Sequence, residues 1–110
     1  MLYKNRIEVP GEVIFEVITA EDGEGFGQAI VDIHASKEHY HTRTVEFYTL
    51  ISGRLAVYIN GKATLLESPG DTAKIPIGAW HWAESRPESS SARVSVITIP
   101  AWSESDHILK

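Results

Sequence analysis

Apolar residues recur with a period of two along most of this chain, in short runs separated by Gly, Pro, Asn and Ser, the pattern of strands joined by turns. Strands are predicted over residues 12–19 and 28–34, on either side of Asp22-Gly23-Glu24-Gly25, and over 44–51 and 54–59, on either side of Ser52-Gly53. Asn60-Gly61 follows at once and predicts a type I′ hairpin, because both central residues of that turn take positive φ. Further strands are predicted over 62–67, 72–75, 80–84 and 93–99, punctuated by Pro69-Gly70-Asp71, Pro76-Ile77-Gly78 and Arg86-Pro87-Glu88-Ser89. Helix signals are nearly absent. Evenly spaced short strands in one small domain predict an all-β sandwich or barrel, since closing the sheet hides both its apolar face and its edges.

At 110 residues the chain is read as one domain spanning 1–110, with a polar tail over 100–110 that packing of Trp102 would order. Its 43% apolar and 23% charged residues match a globular protein rather than a disordered or membrane one. A net charge of −5 with no Lys/Arg cluster argues against nucleic acid as a partner, because binding a phosphate backbone needs concentrated positive charge. Without cysteine there can be no disulfide, thiolate metal site or thiol nucleophile. Residues 1–9 lack the unbroken apolar stretch of a secretory signal, so a cytoplasmic protein is the expectation.

The chemistry gathers between residues 39 and 81. His39 and His41 are two apart, so on an extended segment both imidazoles face the same way and can reach one ion. Glu46 lies an odd number of positions beyond His41 and can join them only if the chain turns within 42–44; from there Glu46 and Tyr48 share a face. His81 follows the Pro76-Ile77-Gly78 turn and must be brought back by the fold. Three neutral imidazoles and one carboxylate would leave a divalent ion a net charge near +1 and, in octahedral geometry, two open positions. The nitrogen and oxygen donors suit Mn, Fe, Co, Ni or Zn without choosing among them.

These residues carry a resemblance. His39-x-His41-(x)4-Glu46-(x)6-Gly53 and Gly70-(x)5-Pro76-x-Gly78-(x)2-His81 resemble the two signature motifs of the cupin superfamily, here spanning 39–53 and 70–85. The chain is similar to a single-domain cupin of the cupin-2 conserved-barrel type, which implies a double-stranded β-helix, or jelly-roll barrel. Ser85 stands where the second motif often has Asn, and Ile33 where a glycine often precedes the first. Ser85 and Tyr48 are therefore the candidate substrate-pocket residues, each able to hydrogen-bond a ligand. His34 and His107 fall outside the motifs and are read as ordinary strand and tail residues.

The resemblance implies a metal-binding protein acting on a small polar substrate, and a range of reactions. A dioxygenase-type oxidoreductase is the first expectation, since adjacent open positions admit substrate and dioxygen together. A sugar isomerase or epimerase is the second, and a non-catalytic small-molecule-binding module the third. Trp80 and Trp82 flank His81 and face outward if His81 faces in, and two outer tryptophans call for cover. A homodimer would supply it, as would the tail with Trp102 or the N-terminal strand.

Overall fold

A computed structural model describes residues 1–87 and 90–109. Among them eleven strands run β1 (Asn5–Val9), β2 (Glu12–Ile18), β3 (Gly27–Ile33), β4 (His39–Tyr40), β5 (Val45–Ser52), β6 (Leu55–Ile59), β7 (Lys62–Leu66), β8 (Thr72–Ile75), β9 (His81–Ser85), β10 (Ala92–Ile99) and β11 (Ile108–Leu109). They form two sheets, β1-β2-β3-β10-β5-β8 and β11-β4-β9-β6-β7, with antiparallel pairing throughout. This is a jelly roll, and chain neighbours such as β3 and β4 lie in different sheets. Among the described residues no helix is long and apolar enough to cross a membrane.

Alternation does most of the folding work. Along β5, Glu46, Tyr48 and Leu50 are buried while the residues between them are not, and β10 shows the same rhythm from Ala92 to Thr98. The inward side chains of both sheets meet in one core, in which Ile33, Val57 and Val94 are fully buried beside Leu50, Leu55 and Leu66. Removing such side chains from water is the main source of stability, at about 1.5–3 kcal/mol for each fully buried aliphatic residue.

The eight strands expected from periodicity are present, most with ends moved by one residue. The 60–61 hairpin has the expected geometry, with Asn60 at φ 49° and Gly61 at φ 81° between β6 and β7. The turn expected over 86–89 lies partly outside the described residues. Strands β1, β4 and β11 were not anticipated: β4 and β11 are two residues long, and every residue of β1 is exposed. Gly11, between β1 and β2, is required by its surroundings. It sits at φ 82°, its carbonyl accepts from the backbone N–H groups of His34 and Ala35, and an added Cβ would lie 1.6 Å from the Ala35 oxygen.

The two outer tryptophans find cover on their own sheet. Trp82 stacks on Tyr58 with ring centroids 4.2 Å apart, and Trp80 meets Tyr40 edge-on at 4.5 Å. Both are partly buried.

Candidate metal centre

His39 on β4 and His81 on β9 are direct partners across the antiparallel pair, so their imidazoles share the inner face of the five-stranded sheet. His41 lies just past β4. Residues 42–44 then turn, as the odd spacing required, and β5 enters the opposite sheet with Glu46 pointing back at the histidines. The second motif is tied to the first where the Gly78 N–H donates to the His41 carbonyl at 2.7 Å. Asn60 of the hairpin holds the approach to β9: its backbone N–H donates to the Trp80 carbonyl at 2.7 Å, and its side-chain oxygen accepts from the Trp80 N–H at 3.0 Å.

One donor atom from each of His39, His41, Glu46 and His81 lies within 4.8 Å of the others, and all four side chains are buried. The ring orientation tests whether a cation fits. Each Nδ1 faces a backbone carbonyl: Lys37 at 2.8 Å for His39, Asp106 at 2.9 Å for His41 and Ala79 at 3.0 Å for His81. A carbonyl can only accept, so every Nδ1 carries the proton and every neutral ring turns its Nε2 lone pair inward. There the Glu46 carboxylate stands 2.7 Å from His41 Nε2 and 3.0 Å from His81 Nε2. The approach to His41 Nε2 is too oblique for a hydrogen bond, so this buried nitrogen has no hydrogen-bond partner among the described residues. Lone pairs and a carboxylate at this range repel unless a positive charge lies between them. Carbonyl-held Nδ1–H groups with inward Nε2 atoms are how histidines are oriented toward a metal, and these four residues fit a divalent ion.

The protein groups alone show the same tension. Burial would push the Glu46 carboxyl up, but the His41 and His81 imidazoles close against it outweigh burial in favour of the carboxylate and hold the group at about 2. For His41 burial works downward, and the Glu46 carboxylate overrides it to raise the imidazole. His39 has no such partner at hand, and burial, joined by the charge of His81, lowers it to about 3.

The cluster opens on a cavity of about 640 Å³. His39, His41 and Glu46 line it, as do the apolar side chains of Ile14, Val31 and Val96; His81 is not in the wall. Tyr48 lines the cavity beside Glu46, where burial, then the charges of Glu46 and Glu12, keep its phenol protonated far above neutrality. Ser85 is elsewhere, which corrects its placement in the substrate pocket. It is fully buried at the far end of β9, its hydroxyl 2.6 Å from the Ser90 carbonyl as donor, and it does not line the cavity.

Two residues outside the motifs belong to the site. Glu12, the first residue of β2, lines the cavity with no hydrogen-bond partner among the described residues, and burial, then the Glu46 charge, raises it to about 7. His107 is more than an ordinary tail residue: its ring stacks on His39 at 4.2 Å and 15° and lines the cavity wall with Trp102. His34 has no part in the cavity, and its Nδ1 faces the Ser90 carbonyl at 2.8 Å.

The fold is a jelly roll whose three inward histidines and glutamate could hold a metal ion, and residues 30–99 match the cupin domain family. The chain belongs to the cupin family. No curated protein matches it. Among solved structures it is similar to a Streptomyces Pac13 variant with uridine, at 16% identity and a TM-score of 0.80 over 100% of this chain and 91% of that one; Pac13 is described as a nucleoside dehydratase. It is also similar to KdgF from Halomonas sp. (19%, TM-score 0.76, 93% and 91% covered) and to ectoine synthase from P. lautus (19%, 0.75, 94% and 80%). At these identities the likeness is one of fold.

Proposed function

We propose that the protein is a metal-dependent enzyme that moves a proton on a small oxygenated substrate, a lyase or isomerase in reaction class, with Glu12 as the proton-transfer group. The observation that carries this reading is the Glu12 carboxyl, which lines the cavity of the histidine cluster and has no hydrogen-bond partner among the described residues to hold it in a structural role. A general acid or base works best with its midpoint near the working pH, and Glu12 at about 7 has that property. His39, His41, Glu46 and His81 would hold one divalent ion of the Mn, Fe, Co, Ni or Zn group, which when bound supplies Lewis-acid polarisation of a substrate oxygen. Tyr48, protonated and buried beside Glu46, is placed to donate a hydrogen bond to that substrate. Apolar side chains in the cavity wall, Ile14, Val31 and Val96 among them, would exclude water from the body of the ligand, so a substrate with an oxygen-rich head and a less polar remainder fits best.

Protein loaded with manganese or zinc, incubated in D2O with a panel of sugars, keto acids and nucleosides, tests this by NMR. Nucleosides enter the panel because Pac13 shares the fold. Deuterium incorporation or water loss that disappears in Glu12→Gln while metal content is kept is the expected result. Turnover that is unchanged in Glu12→Gln would sink the assignment.

The dioxygenase reading uses the same ligand set, with two free positions for substrate and dioxygen, and gives Glu12 no task. Turnover under strict anaerobiosis separates the two. A binding module without catalysis would show ligand affinity and no turnover in either atmosphere.

A further inference from the structure

We propose that Asp106, in the segment after β10, is a positioning residue of the metal centre that sets both the His41 ring and the turn bringing Glu46 to it. The proposal rests on the metal-site reading above. The 42–44 turn is the geometric problem of this site, because His41 follows β4 of one sheet, Glu46 lies on β5 of the other, and only a reversal between them lets both reach one point. A tight reversal leaves backbone N–H groups without ladder partners, free to take another acceptor. Here they find one carboxylate. Asp106 accepts from the Thr42 N–H at 2.7 Å and the Arg43 N–H at 3.1 Å, from the Thr44 hydroxyl at 3.0 Å, and from the Thr42 hydroxyl. Its own carbonyl accepts from His41 Nδ1 at 2.9 Å.

His41 differs in this from its neighbours. His39 and His81 donate to carbonyls two residues earlier in their own segments, so their orientation is local. The acceptor for His41 is 65 residues away. The segment that brings it is built in: Asp106 is 2% exposed, β11 pairs with β4 with Leu109 opposite His39, and His107 stacks on the His39 ring. All of it lies beyond residues 30–99, the part matched to the family. One residue from outside the matched segment therefore fixes the direction of one ligand through its backbone carbonyl and the path to another through its carboxylate.

Cobalt(II) serves as the probe, because its visible spectrum reports ligand geometry without a substrate. Asp106→Ala keeps the carbonyl that faces His41 but removes the carboxylate that ties its segment to the 42–44 turn, and is expected to weaken cobalt binding by about 10- to 100-fold, the usual effect of disturbing an orienting partner, and to change the shape of the d–d bands. Asp106→Asn, which keeps one acceptor oxygen, is expected to fall between wild type and alanine. His107→Ala, which leaves the Asp106 contacts intact, is expected to keep the wild-type band shape. Wild-type affinity and spectrum in a folded Asp106→Ala variant would overturn the proposal, as would failure of both Asp106 variants to fold, which would make the residue a fold determinant instead. If wild type itself takes up no cobalt, the metal-site reading fails separately. The orienting role is then read from the nitrogen NMR signal of His41: loss of its protected Nδ1–H in Asp106→Ala supports it, and an unchanged signal overturns it.

Discussion

Replacing Glu12 by glutamine should stabilise the metal-free protein, but only at neutral and alkaline pH. Burial, reinforced by the Glu46 charge, raises the carboxyl from 4.5 to about 7 in the folded state. A midpoint raised on folding means that the fold prefers the protonated form. The favourable contribution is therefore complete below about 4.5 and is lost as pH climbs through about 7. At about 1.4 kcal/mol for each pH unit between the two midpoints, the ionised side chain costs about 3 kcal/mol, or about 2 once contact with cavity water is allowed for. Glutamine has nearly the shape of the protonated acid and cannot ionise. Urea unfolding of chelator-treated wild type and Glu12→Gln, followed from pH 4.5 to 8.5, should show curves that coincide at the acid end and separate by about 2–3 kcal/mol at the alkaline end. Saturating zinc should narrow the gap, because a nearby cation favours the carboxylate. A difference that stays flat across the range, or a less stable variant at pH 8, would refute a desolvated, unpartnered carboxyl at this position.

Other outcomes follow from the same geometry. His41→Ala should lower metal affinity by more than about 100-fold, beyond the usual effect of losing an orienting partner, while circular dichroism remains that of the wild type. Metal occupancy should decline on acidification, because His41, raised by Glu46 against the pull of burial, accepts a proton well before His39, which is held at about 3; full occupancy at pH 4.5 by elemental analysis would contradict these ligands. Gly11→Ala should cost at least about 2 kcal/mol in thermal or urea unfolding, since the left-handed backbone disfavours it and the Ala35 carbonyl occupies the methyl position.

Periodicity revealed the strands that carry the core, because burial on one face writes itself into alternate positions. It passed over β1, whose residues are all exposed, and over β4 and β11, which are too short to show a period. The histidines and Glu46 were visible through spacing, and the need for a turn at 42–44 was visible through the odd interval. What supports that turn was not, since Asp106 comes from 62 to 64 residues away and nothing near it in the sequence marks a ligand-orienting role. Glu12 was hidden for the same reason: only the pairing of β2 with β3 sets it beside the cavity. Ser85 shows the limit of parity. It shares an inner face with His81 but lies four residues along β9, about 13 Å at the usual rise, whereas Tyr48 is only two residues from Glu46. Alternation reports which way a side chain faces and says nothing of its height in the barrel.

Because His39 and His81 hang from one sheet and Glu46 from the other, any ion they share becomes a rivet through the wall-to-wall gap of the sandwich. Loading it should damp the breathing of the two layers against each other, so that amide exchange slows together in β5 and β9 although those strands lie in different sheets and share no backbone ladder. Occupancy of the centre would then be readable as stiffness of the whole shell, far from the cavity where the ligand enters.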